Sequence, residues 1–168
     1  MIKENLKYLL WFFIIIFFQI YVLNNINISG YLNPYVYILF ILLLPFDIPG
    51  YLLLILSFFT GLTIDISMYT YGLHTSVSLF IGFLRPFILK IIAPRDGYAK
   101  ATAPRIFYYG NFWFLKYAVI SVIIHHFLLF FLESLNFYNF LHTLFRATIS
   151  SILSIIIIIL SQFFIFRK

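Results

Sequence analysis

Cysteine is absent from this sequence, which excludes disulfides, Cys-ligated metal and thiol nucleophiles while leaving the compartment open. Charge is nearly as scarce. Only 10% of residues are charged, with five Asp and Glu against eleven Lys and Arg, whereas 64% are hydrophobic. Such a chain cannot cover itself with polar surface, so an integral membrane protein is expected. Alanine is also scarce, while Phe, Ile, Tyr, Asn and Lys abound. That bias fits an AT-rich coding sequence, so the aromatics are not taken as a sign of ligand stacking. The 168 residues hold about six spans of roughly 20 residues with short loops. Nothing is left for a soluble domain, and residues 1–168 read as a single all-α polytopic membrane bundle.

The apolar runs place the spans. The first covers about Tyr8 to Val22, a basic start and apolar core without a small-residue cleavage pattern, and so an uncleaved helix. Gln19 within it suits an interhelical hydrogen bond. The second, Pro34 to Leu44, is short and ends at Pro45-Phe-Asp-Ile-Pro49; a thinned span and a re-entrant helix both fit. The third runs from Tyr51 to Ile66 and the fourth from Leu73 to Ile92. After the longest loop, Ala93 to Asn111, come Phe112–Leu132 and Phe140–Phe166. Thr143, Ala147, Ser150, Ser154 and Ser161 make a stripe of small residues along the last.

The net charge of +6 is a topology signal rather than a nucleic-acid signal. Lys3 and Lys7 precede the first span, Lys90, Arg95, Lys100, Arg105 and Lys116 surround the long loop, and Arg167-Lys168 end the chain. The three loops expected outside, Asn24–Asn33, Ser67–Gly72 and Glu133–Asn139, contain no Lys or Arg. The positive-inside rule then puts both termini in the cytoplasm.

The stretch from Phe58 to Pro86 organises the rest. Asp65 closes the third span, Gly72 and His74 lie in the turn, and Arg85-Pro86 falls deep in the fourth span. Thr75, Ser78, Gly82 and Arg85 share one helix face, which turns the Arg toward protein. By helical rise Arg146 lies roughly 9 Å inside the outer boundary and Arg85 roughly 18 Å. Asp65 is therefore expected to partner Arg146 rather than Arg85. The Arg85 head group is expected at the carbonyl freed by Pro86, at Asp47 or at inner-leaflet phosphates. No HExxH, GxSxG or comparable motif is present, and neighbouring His125 and His126 point to different helix faces. No catalytic residue, metal site or cofactor is expected, and no enzyme.

Asn25-Ile26 with Gly30, Pro34-Tyr35-Val36-Tyr37, Leu44-Pro45, Gly61-Leu62-Thr63-Ile64-Asp65, Gly72-Leu73-His74 and Arg85-Pro86 together resemble the rod shape-determining protein MreD family. The resemblance covers roughly the first 90 residues, and the remainder by span number, length and topology. It implies an inner-membrane scaffold of the bacterial cell-elongation machinery that supports lateral peptidoglycan synthesis. The implied partners are an MreC-like bitopic protein, a RodA-type glycosyltransferase, a penicillin-binding protein and the MreB filament. The implied fold is similar to the substrate-binding subunits of energy-coupling-factor transporters, so a small-molecule transporter subunit is the alternative. Asp65, Gly72, His74 and Arg85 carry over as structural or interaction positions. The very aromatic helices depart from typical members.

Overall fold

The computed structural model describes residues 2–26, 33–99, 102–134 and 139–164, with side chains from Leu6 onward. Among the described residues, five helices are long and apolar enough to cross a membrane: α1 (Ile2–Tyr21), α3 (Gly50–Met68), α4 (Leu73–Ile91), α6 (Asn111–Ser134) and α7 (Phe140–Phe164). Two short helices, α2 (Ile38–Leu42) and α5 (Ile106–Tyr109), and a 3-10 turn at Leu23–Asn25 complete the described elements. The chain is thus a multi-pass helical membrane protein.

The second apolar run departs most from a full span. Pro34 and Pro45 bracket it, residues 33–36 are non-helical, and only the five residues of α2 coil. Yet Tyr35 through Leu44 are all at most 5% exposed. Its start lies at the C-terminal end of α1, where Gln19 bonds Pro34, Val36 and Tyr37. Its end lies beside Arg85, toward the C-terminal end of α4. Between them it runs alongside α4 from the level of His74 to that of Arg85, a drop of roughly 16 Å by helical rise. The segment thus runs through the bundle interior alongside α4 without being a full-length helix. Irregular backbone at this depth is tolerated because protein surrounds it.

Around this segment the long helices pack closely. α3 and α4 form an antiparallel hairpin, and Gly61 makes it tight: a Cβ there would sit 2.4 Å from the Thr75 Cα. Helix α7 lays its buried face, including Thr143, Ala147, Ser150 and Ser154, inward on α6. The loop side near Arg85 is closed by rings. Phe46 stacks on Tyr98 at 4.1 Å, with Tyr109 and Trp113 at their edges. Partial burial pushes the Tyr98 hydroxyl up to about 12, so it stays protonated and donates to the Leu89 carbonyl at 2.7 Å.

Candidate functional site: a buried polar spine

An unwound backbone in an apolar bundle needs partners for its amide groups. Here side chains from α1, α4, α6 and α7 supply them. The Gln19 Oε1 accepts from the amides of Val36 and Tyr37 at 2.7 and 3.1 Å, and its Nε2 donates to the Pro34 carbonyl at 3.1 Å. Ser150 Oγ accepts from the Asn33 amide, and His126 Nε2 from that of Tyr35. The other end of the segment presents carbonyls. Tyr117 Oη donates to Leu42, and the Arg85 guanidinium donates to Leu44 and Pro45. Arg85 Nε also donates to Tyr117 Oη at 3.0 Å. At 2% exposure Arg85 is a fully buried cation held by a planar fork of donors.

That geometry corrects the sequence reading of Arg85. Its partners are the carbonyls at Leu44 and Pro45 rather than the one freed by Pro86, and Asp47 is exposed instead of paired with it. The reason is the segment itself, whose terminal carbonyls lie within reach and lack helical donors.

Asp65 and Arg146 do not meet either. Asp65 Oδ1 accepts from Thr70 Oγ1 at 2.6 Å and the His74 amide at 3.0 Å; Oδ2 accepts from the Thr75 amide at 2.8 Å and its hydroxyl at 2.5 Å. The carboxylate is a clasp, capping the first amides of α4 from the facing helix. Four donors satisfy it without a cation. The turn it fastens is left-handed at Tyr69, Tyr71 and Gly72, where φ is 57°, 44° and 89°. Gly72 adopts this without cost, the two tyrosines do not. Arg146 instead pairs with Glu133 across the α6–α7 hairpin at 3.6 Å and covers the Phe130 ring.

Between clasp and fork lies a chain of rings. Tyr37 Oη stands 2.9 Å from His74 Nδ1 and 2.7 Å from His125 Nε2, and His125 Nδ1 faces His126 Nδ1 at 3.3 Å. One set of neutral tautomers satisfies every contact. Because His126 Nε2 accepts from Tyr35 and from Ser154 Oγ, its Nδ1 carries the proton, shared by the Val122 carbonyl and His125 Nδ1. His125 then donates to Tyr37, and Tyr37 to His74. The adjacent histidines do point to different faces, one to the segment and one to α7, yet their inner nitrogens still touch.

Asp65, Gly72, His74 and Arg85 therefore converge on one spine, whereas Arg146 belongs to a separate hairpin contact. The sequence reading missed Tyr37, Tyr117, Ser150 and Ser154 as members. Two ionisable rings in mid-span at His125-His126 were the available signal, since intramembrane polar groups seek partners. Comparison of the chain with protein-family models, with curated proteins and with solved structures gives no match.

Proposed function

We propose that this protein is a non-enzymatic scaffold of the bacterial cell-elongation machinery in the inner membrane, as its resemblance to the MreD family implies. One observation carries the reading: blocks spread from Pro34 to Pro86 meet on the same buried spine. Their polar groups are spent on the protein's own backbone, the pattern of a fixed shape that partners recognise. On this reading the bundle binds an MreC-like bitopic protein and works with a RodA-type glycosyltransferase, a penicillin-binding protein and the MreB filament. Both termini face the cytoplasm by the distribution of Lys and Arg.

The alternative, a membrane substrate-binding subunit of a small-molecule transporter, draws on a different feature. A cleft of about 290 Å3 opens between α1, the short segment and α7, lined by Trp11, Ile14, Val36, Leu39, Ile157 and Leu160. Purification of the tagged chain in mild detergent separates the two. Co-purifying peptidoglycan-synthesis proteins support the scaffold; a coupling subunit bound to an ATPase overturns it. Reporter fusions at residue 168 and within 134–139 are expected on opposite sides of the membrane, and the same side for both refutes the orientation.

A further inference from the structure

The cleft beside the short segment is apolar within and basic at its rim. Its floor is Ile15, Val36 and Leu39, each at most 7% exposed. Trp11, Ile14 and Phe18 of α1 form one wall, and α7 supplies the other between Ile157 and Phe164. Of the described lining only Trp11 and Ser161 carry a polar side-chain atom, and the Ser161 hydroxyl is turned back to the Ile158 carbonyl at 2.6 Å. A pocket for a small polar molecule fixes its ligand with a few placed polar groups. This lining suits a chain of methylenes instead.

The register places the mouth. Gln19 of α1 and Ser150 of α7 meet the same end of the short segment, at Pro34 and Asn33. The cleft runs away from that level, toward the end where α1 begins and α7 stops. From Trp11 to Phe18 it spans roughly 10 Å by helical rise. That is most of one leaflet's half of a hydrocarbon core about 30 Å thick. Lys7 continues the stripe of Trp11, Ile14 and Phe18 one turn toward the surface and is exposed. Lys3 precedes it by a further turn in the sequence, and Arg167 and Lys168 follow Phe164 within roughly 14 Å of chain reach. Against these four basic residues stands one acid, Glu4.

We infer that the cleft seats one acyl chain of an anionic phospholipid, drawn from the leaflet at the N-terminal end of α1, with its phosphate held by Lys7. The apolar floor and walls take the chain, the long Lys7 stem carries its ammonium outward to the phosphate, and the Trp11 indole sits at the interfacial level that tryptophan favours. A transmembrane helix as occupant would call for an apolar surface across both leaflets, not one. The lipid would complete the packing of α1, the least buried of the five spans. The inference does not rest on the scaffold reading, and it gives the cleft an occupant other than a transported molecule.

Trp11 lets the test be read at the site itself. The full chain carrying Trp113→Phe, or Trp113→Tyr if the first does not fold, is reconstituted in phosphatidylcholine bilayers with increasing fractions of lipid brominated on its acyl chains. Brominated phosphatidylglycerol should quench Trp11 fluorescence with an apparent affinity about fivefold above that of brominated phosphatidylcholine, the worth of one Lys beside an anionic surface. Lys7→Gln should remove the preference, and a preference that survives it overturns the phosphate contact. Equal quenching by the two lipids overturns the inference, as does quenching by neither, which would mean that protein fills the cleft. Moving the reporter separates a seated lipid from a general attraction to this end of the bundle. Leu10 is as near Lys7 along the helix and 59% exposed, but lies outside the cleft. With Leu10→Trp, Trp11→Phe and Trp113→Phe combined, the two lipids should quench alike. The same preference at both positions refutes the seat.

Discussion

Replacing Arg85 by lysine separates two physical roles that leucine confounds. A cation that only needs to reach the membrane surface is served by either long side chain. A cation that holds three acceptors at fixed positions is not, because an ammonium has no fork. Arg85 serves Tyr117 Oη through Nε, Pro45 through both terminal nitrogens, and Leu44 through Nη2. The single nitrogen of lysine cannot reproduce donors set at three separate positions. Losing one charge-assisted bond costs about 1.5–3 kcal/mol in water-soluble proteins. Polar contacts between membrane helices measure less, so about 1–2 kcal/mol is expected. That is roughly a 5- to 30-fold fall in the ratio of folded to unfolded protein. Arg85→Leu removes the buried charge but orphans the carbonyls of Leu44 and Pro45, at about 1–3 kcal/mol each. Equilibrium unfolding in mixed micelles, read beside membrane abundance, gives the order wild type, then Lys, then Leu. Lysine indistinguishable from arginine, with leucine strongly destabilised, would refute the fork and leave only the charge.

Gly61→Ala should be the most damaging small substitution, since its Cβ would meet the Thr75 backbone at 2.4 Å; separated helices α3 and α4 in a cysteine cross-linking assay would report it. Near-wild-type cross-linking there would show that the hairpin is looser than described. Asp65→Asn replaces two acceptor oxygens by one acceptor and one donor facing the Thr75 amide, so a loss of about 1–3 kcal/mol is expected in the same unfolding assay. Tyr37→Phe removes the hydroxyl shared by His74 and His125 and should change the tautomer-sensitive 15N shifts of both rings, which unchanged spectra would contradict.

The long helices were legible because each is a sustained apolar run ended by polar turns, and all five lie within a few residues of where hydropathy puts them. The short pass was legible only as an anomaly. Its two prolines announce that it cannot be an ordinary helix, but not that α1, α4, α6 and α7 would each lend it a side chain. Asp65 shows the other limit. Depth along a helix axis suggested a cation partner, whereas the carboxylate found amides nearby through the left-handed turn at Tyr69–Gly72, which helical periodicity does not encode. Arg85 fell between: its face and depth were readable from the spacing of Thr75, Ser78 and Gly82. Its acceptors, more than thirty positions away in sequence, were not.

The short pass also constrains the order in which the protein is made. A segment whose first amides, at residues 33–37, are not in a helix cannot stay in lipid alone, because each unmet amide there costs several kcal/mol. Three of the side chains that meet those amides and carbonyls, Tyr117, His126 and Ser150, belong to α6 and α7, which leave the ribosome well after the segment itself. Residues 33–45 therefore gain their full set of partners only once α6 and α7 have been made. A nascent chain stopped before Phe140 would hold the partners on α1, α4 and α6 but lack the Ser150 hydroxyl that accepts from the Asn33 amide.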